Sequence, residues 1–365
     1  MPKTILILSV SIGSGHDQAA GAIASALREI NPGLDIDILD YVQTNAAVGK
    51  PVKAVYLTAL KTAPAVYSFL YRESQRRVYR RVAFWFMDRS ARSSARKLIE
   101  RNEPSLIVCT HPFPVPALTR FREDVGGRFK VAVVVTDFTC HSLWFDPRAD
   151  YYFVAHEGLR QLLIDLGARD DQVIVTGIPI RTPATVTGSA GSPKLPHVLI
   201  MAGGLGLGPI AEVVSLLLRL ERGIHLTVVT GRNTELKERL DSIAIPARHR
   251  MDVYGYTPEV PRLMAEADLL VTKPGGLSCS EALAAQLPMV LFHPVPGQEE
   301  DNATFLSEAG VAETAASSDQ VVELVRNLLF VQPRRLDAMK KQTIAYAKPQ
   351  ASRLIAETLV RIVTP

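Results

Sequence analysis

"ILILSVSIGSGHDQAAGAI", residues 5–23, opens on an apolar run, breaks at Gly13 and Gly15, places His16 directly after them and then starts a small-residue helix. A strand running into glycines and then a helix is the first unit of a parallel α/β sheet. Its glycines let backbone approach a ligand, and its helix aims free N–H groups outward. As a dinucleotide fingerprint the stretch is imperfect: G-x-G-x-x-G/A needs a small residue at Gln18, and the alanine comes one place later, at Ala19. His16 is open to two readings, a polar residue of the first helical turn or a general base.

Outward from this stretch the alternation continues. "KTILILS", "LDIDIL", "SLIVCT", "KVAVVVTDF", "DYYFVAH" and "QVIVTGIP" are predicted strands, with helices such as "DQAAGAIASALREI" and "HEGLRQLLIDLG" among them. Residues 182–196, rich in Pro, Gly, Ser and Thr with no apolar period, are predicted as a linker. The pattern then restarts with "HVLIMAGG", "IHLTVVTG", "RMDVYGY", "ADLLVTK" and "LPMVLF". The reading is therefore two Rossmann-like, doubly wound domains facing a central cleft, residues 1–181 and 197–349. The closing segment "ASRLIAETLVRIV" puts Ala351, Ile355, Leu359 and Ile362 on one helical stripe, so the helix at 350–365 is predicted to pack back on the first domain. Beyond about residue 312 little is read except helical packing.

At 365 residues, 47% apolar and 21% charged, the chain is ordinary globular material too long for one core. Cys109, Cys140 and Cys279 show neither metal-ligand spacing nor a pairing pattern and read as reduced thiols of a cytosolic protein. No signal peptide is expected, and no apolar run approaches the roughly 18 residues of a membrane span. The net charge of +4 conceals an asymmetry: residues 48–97 hold twelve basic residues against Glu73 and Asp88, a local +10 that leaves −6 elsewhere. In "RRVYRRVAFWFM", Arg76, Arg77, Arg80 and Arg81 share one helical arc, with Val78, Val82, Trp85 and Phe86 opposite and Phe84 the exception. Such a helix suits an anionic membrane surface. A nucleic-acid patch is the competing use of this charge, but no recognised RNA or DNA module accompanies it.

The second half carries the more specific chemistry. "TKPGGLSCSEAL" runs from strand through Gly275-Gly276 into a helix, an anion site by geometry and suited to a diphosphate. Glu281 within that helix fits neutral hydroxyls such as those of a ribose. In "PGQEEDNA", Gln298, Glu299 and Asn302 supply the amide and carboxylate mixture that binds sugar hydroxyls, or merely cap and solvate a helix. The D-x-D at Asp35 and Asp37 matches a metal motif formally, but strand alternation puts both on one solvated face, and no metal is assigned.

Taken in order, "GSGHDQAA", "THPF", "VVTDFTCHSLWF…DYYFVAHE", "GIPI", "GGLGLG", "TGRN", "GYTPEVPRLMAEADLLVTKPGGLSCSEAL" and "GQEEDNA" resemble the diacylglycerol glycosyltransferases. These are the monogalactosyldiacylglycerol synthases and processive diacylglycerol glucosyltransferases, family 28-like and related to the N-acetylglucosaminyltransferase of lipid II synthesis. The resemblance runs from about residue 5 to about residue 312. It implies a GT-B fold and inverting transfer of glucose or galactose from UDP-glucose or UDP-galactose to diacylglycerol, with no cofactor. By the same resemblance Gly275, Gly276 and Ser278 face the diphosphate, Glu281 the ribose, and Gln298, Glu299 and Asn302 the donor sugar. Gly203, Gly204 and Gly206 line the donor side with Arg232 near the phosphates. His16 stands on the acceptor side with Gly13 and Gly15. From its place at a strand end beside the expected cleft, Asp137 is a candidate to assist or replace it as base, and His111 and His141 are further candidates or equally satisfied structural histidines.

A lipid acceptor places the protein at the inner face of the cell membrane, peripherally bound. A polyprenyl-linked acceptor is the alternative within this class. A nicotinamide oxidoreductase using Asp40 as its acidic residue, and a non-catalytic sugar-nucleotide sensor, are the readings outside it. Neither the oligomeric state nor the choice between glucose and galactose is read from the residues.

Overall fold

The structure, a computed structural model, describes residues 4–11, 14–44, 73, 95–181, 195–201, 203, 204, 206 and 208–364. Gly13, the residues Arg76, Arg77, Arg80, Arg81, Trp85 and Phe86 of the basic arc, and linker residues 182–194 lie outside the described residues.

The chain divides into two compact units. One comprises Met1–Arg181, Val295–Gln298 and Gln350–Pro365, the other Thr182–Pro294 and Glu299–Pro349. In the first, β1 (Thr4–Ser9), β2 (Asp35–Asp40), β3 (Leu106–Cys109), β4 (Lys130–Val134), β5 (Tyr151–Val154) and β6 (Val173–Val175) form one parallel sheet in the order β2-β1-β3-β4-β5-β6. In the second, β7 (His197–Met201), β8 (His225–Val229), β9 (Arg250–Tyr254), β10 (Leu269–Thr272), β11 (Met289–Phe292) and β12 (Ala312–Ala315) form another, in the order β12-β11-β10-β7-β8-β9. The expected doubly wound architecture is present in both.

Each sheet has the point where the chain reverses direction that makes such folds bind ligands. The chain steps from β1 out to β2 and returns on the far side at β3; it steps from β7 out to β9 and returns at β10. The carboxyl ends of β1 and β3, and of β7 and β10, therefore flank crevices at which open α/β sheets place their ligands.

Burial on both faces explains the unbroken Val/Ile runs. β1 is buried along its whole length, and β3, β10 and β11 likewise. β2 departs from this, with Asp35 and Asp37 exposed around buried Ile36, as an edge strand with one solvated face must. Strand β12, "AETA", was not foreseen after residue 312: it has no β-branched run and pairs only with β11. The helix Ala351–Val363 belongs to the first unit. Ile355, Ala356, Leu359 and Val363 join Ile5, Ile7, Ile23 and Leu27 in its core, and Ser352 Oγ donates to the Ile180 carbonyl at 2.6 Å. Val363, four residues on from Leu359, is buried in this stripe, and Ile362 packs half-buried against the same core. Among the described residues no helix is long and apolar enough to cross a membrane.

Candidate active site

In the first unit, three neighbouring strand ends meet around His16. β1 ends at Ser9, whose hydroxyl donates to Asp17 in the helix Ser14–Ile30 that carries His16 in its first turn. Thr110, fully buried just past β3, donates its N–H to the Leu8 carbonyl at 3.0 Å. Its hydroxyl lies 3.1 Å from the His16 carbonyl and 3.3 Å from that of Leu8. The helix start is thus stitched to both strands, which fixes where the imidazole emerges.

His16 Nδ1 lies 2.8 Å from the Thr110 carbonyl oxygen and 3.0 Å from Thr136 Oγ1, just past β4. A carbonyl only accepts, so Nδ1 carries the proton and Nε2 keeps the lone pair. Burial pushes the His16 pKa down, opposed by the charge of Asp137, the Thr110 carbonyl and the charge of Asp17. Asp137 is buried at 3% exposure, one residue beyond Thr136. His16 is therefore a neutral imidazole at pH 7 whose protonated form nearby carboxylates favour.

His111 stands edge-on to His16, ring centroids 4.7 Å apart at 82°, and Trp144 lies 6.5 Å from His16 and 6.3 Å from His111. Burial and the neighbouring His16 hold the His111 pKa well below its ordinary value. Its Nδ1 accepts the Phe113 N–H at 3.1 Å, which leaves its proton on Nε2. His141 caps the short helical turn Ser142–Trp144 by accepting the Leu143 N–H at 3.1 Å. Behind this turn, buried Asp146 takes Arg148 Nε and Nη2 at 2.9 and 2.7 Å and the Thr119 hydroxyl at 3.1 Å, bracing the segment.

The second unit builds its site mainly from backbone. Gly206 has φ 59°, and a Cβ there would meet the Thr230 carbonyl oxygen at 2.2 Å; Gly231 has φ 61°, and a Cβ would meet that of Gly204 at 2.7 Å. Arg232 N–H donates to the Gly204 carbonyl at 3.1 Å and Asn233 Nδ2 to that of Gly206 at 3.1 Å. The "GGLGLG" and "TGRN" loops are thereby locked together, with Gly203 and Gly204 half-exposed beside them. Arg232 is exposed, its guanidinium 5.6 Å from the Tyr256 ring centroid.

After β10, the Gly275 N–H donates to the Lys273 carbonyl at 2.8 Å, and the helix Gly276–Ala284 begins. Asn302 is fully buried and donates Nδ2 to the Pro274 carbonyl at 3.1 Å, so it holds this turn from behind. A Cβ on Gly275 would meet nothing within 4 Å, so no packing within the chain demands glycine there. Ser278 and Glu281 are half-buried in the helix. Glu299, beside half-buried Gln298, lies 3.4 Å from Lys273 Nζ.

Sequence reasoning singled out His16, Asp137 and His111, and the structure brings these three into one cluster. It passed over Thr110, Thr136 and Lys273, although each opens a stretch within a quoted motif: "THPF", "TDF" and "KPGG". Asp35 Oδ2 accepts the Thr4 hydroxyl at 3.3 Å on the edge of the first sheet.

Residues 16–180 match the family model for monogalactosyldiacylglycerol (MGDG) synthase, and residues 197–359 that of the glycosyltransferase family 28 C-terminal domain. A processive diacylglycerol beta-glucosyltransferase of Bacillus mycoides is 28% identical over 370 residues, covering 98% of this chain and 93% of the relative. Among solved structures, Acinetobacter baumannii MurG aligns with a TM-score of 0.63 at 15% identity, over 99% of this chain and all of that one. The calicheamicin glycosyltransferase CalG4 aligns at 0.62 and 13% identity over the full length of both. The chain has the GT-B glycosyltransferase fold, its first half similar to the monogalactosyldiacylglycerol synthase model and its second half to the family 28 C-terminal domain model.

Proposed function

We propose that the protein transfers a hexose from a UDP-sugar to the hydroxyl of diacylglycerol with inversion, working peripherally at a membrane surface. The observation that carries the reading is the state of His16. Its Nδ1–H is committed to the Thr110 carbonyl, so Nε2 is the basic atom, and Asp137 lowers the cost of the imidazolium that forms when Nε2 takes the acceptor proton. A positioned base of this kind contributes roughly 10²–10⁴-fold.

The donor is assigned to the second unit. The N-terminus of the helix Gly276–Ala284 offers free N–H groups to the departing diphosphate, and the space left open at Gly275 admits it. Ser278 adds a hydroxyl there, Glu281 is given to the ribose, and the sugar hydroxyls to Glu299 and its chain neighbour Gln298, the last residue of the first unit's Val295–Gln298 segment. Arg232 and the Gly203–Gly204 backbone serve the phosphates, and Asn302 acts by holding the Pro274 turn. The reaction as proposed uses no metal: the charge on the leaving group meets the helix terminus and the side chain of Lys273. The family likeness of residues 16–180 and the +10 stretch at 48–97 support a lipid acceptor and an anionic surface at the inner membrane face.

The test is UDP release from UDP-glucose and UDP-galactose, each with and without dioleoylglycerol in anionic vesicles. Lipid-dependent release establishes the transferase and identifies the donor. Tight UDP-sugar binding without lipid-dependent release rejects diacylglycerol and moves the acceptor to a polyprenyl-linked lipid.

A further inference from the structure

We propose that Thr136 is a positioning residue for His16: with the Thr110 carbonyl, its hydroxyl holds the imidazole proton on Nδ1 and so keeps Nε2 as the proton acceptor. The inference rests on His16 being the base, and it concerns what makes that histidine a base.

β1, β3 and β4 are adjacent in the sheet, and their carboxyl ends deliver His16, Thr110 and Thr136 to one point. The ring nitrogen faces two oxygens, the carbonyl at 2.8 Å and the hydroxyl at 3.0 Å. Because Nδ1–H is already required by the carbonyl, the hydroxyl oxygen serves as a second acceptor for the same proton. Histidine bases are commonly oriented by a carboxylate; here two neutral oxygens take that place, and Asp137 acts on His16 through its charge.

The sequence supports a chemical reason for threonine. Position 136 continues the run "VAVVV" and is buried at 5% exposure, where valine would match the shape without bringing a polar atom. The hydroxyl is therefore the part of the side chain that packing leaves unexplained. When Nε2 takes a proton, positive charge spreads to Nδ1–H, and its hydrogen bonds to both oxygens strengthen as charge-assisted bonds. Among the described residues, the other titratable groups facing His16 are Asp17 on its own helix, Asp137 beyond β4 and His111 beyond β3. None of these changes in a Thr136 variant, so a shift in the pH profile reports the hydroxyl.

The experiment compares the wild type, Thr136→Val and Thr136→Ser in vesicle-based UDP release across pH. It adds ¹⁵N NMR of histidine-labelled wild-type protein, the His16 signals being assigned by His16→Ala. Thr136→Val is expected to lower kcat about tenfold, the worth of one hydrogen bond to a charged group. It is also expected to move the acidic limb of the profile to lower pH and leave the KM for UDP-sugar within about twofold. Thr136→Ser restores both rate and limb. The NMR spectrum of neutral His16 is expected to show the proton on Nδ1.

A proton on Nε2, a wild-type rate and limb in Thr136→Val, or a folded Thr136→Ser as impaired as the valine variant would each overturn the proposal. If Thr136→Val does not fold, the serine variant and the wild-type tautomer decide. If the wild type releases no UDP with lipid, the proposed reaction fails, and the NMR result still decides the placement of the proton.

Discussion

The two units are both doubly wound parallel sheets, the first reversing after one outward strand and the second after two, and they put opposite chemistry at the reversal point. At the reversal point of the first sheet stands a neutral histidine held by two threonines, with a second histidine and a tryptophan against it. At the reversal point of the second there are glycine loops, a helix N-terminus and an ion pair between Lys273 and Glu299. One site is made of side chains that gain or lose protons, the other of backbone dipoles whose charge is fixed. In the proposed reaction two related sheets divide the work: the first handles the proton and the second the leaving group.

The comparison breaks most severely at His16. His16→Ala is expected to reduce lipid-dependent UDP release by about 10²–10⁴-fold while UDP-sugar affinity, measured by calorimetry, stays within about twofold. A loss of affinity as large as the loss of rate would mean that the first unit handles the donor as well.

The counterpart in the second unit is a backbone change. Gly206→Ala forces a Cβ to within 2.2 Å of the Thr230 carbonyl oxygen at φ 59°, so the loop must move. The expected cost is about 3 kcal/mol, seen as reduced stability in denaturant, together with weakened UDP binding. The His16 NMR signals should not change. Gly275→Ala is the contrasting variant: with nothing within 4 Å of the added Cβ, it should weaken UDP binding and leave stability unaltered.

These contrasts mark how far the sequence could be read. Strands such as "ILILS" and "VAVVV" announce themselves because burial on both faces demands an unbroken apolar run. "AETA" does not, because an edge strand paired on one side needs no such run. The glycine turns and His16 were visible as local patterns. The partners of His16 were not: Thr110 and Thr136 lie 94 and 120 residues along the chain, and only the strand order β1-β3-β4 makes them neighbours. Lys273 was hidden differently, as a cation one residue before a proline-glycine turn, where the glycines drew the reading.

Lys273 gives the next largest effect. It lies 3.4 Å from Glu299 with both side chains largely buried, so removing it leaves a carboxylate without its cation beside an anion site. Lys273→Met is expected to raise the KM for UDP-sugar about tenfold, equivalent to 1.4 kcal/mol, with a smaller change in kcat. Lys273→Arg should recover part of the loss. An unchanged KM would show that the pair only braces the turn.

The protonation difference between the units has its own signature in stability. His16 and His111 have native pKa values below the ordinary 6.5, so the unfolded chain binds more protons than the native one in the interval between. Stability is then complete above about pH 6.5 and falls as the pH drops through that interval, by up to about 1.4 kcal/mol per pH unit for each histidine. Both tryptophans of the chain, Trp85 and Trp144, lie within residues 1–181, so their fluorescence in a denaturant titration reports the first unit alone. His111→Asn should flatten the dependence. A slope that persists in that variant and in His16→Ala would place its source outside this cluster.

The smallest effect is expected at Asp35 and Asp37, and its smallness is the point. A D-x-D pair is a plausible metal site on spacing alone, but here both carboxylates sit on the exposed face of an edge strand, and Asp35 already accepts the Thr4 hydroxyl. A surface carboxylate in such a place contributes within about 0.5 kcal/mol. Asp37→Asn should therefore leave UDP release and stability unchanged, and a chelator should leave the rate of both the variant and the wild type unchanged. A chelator-sensitive rate that Asp37→Asn abolishes would move charge stabilisation from the helix N-terminus at Gly276 to a bound cation. The division of labour between a proton-handling unit and a fixed-charge unit would then fall, because the first unit would supply the charge as well.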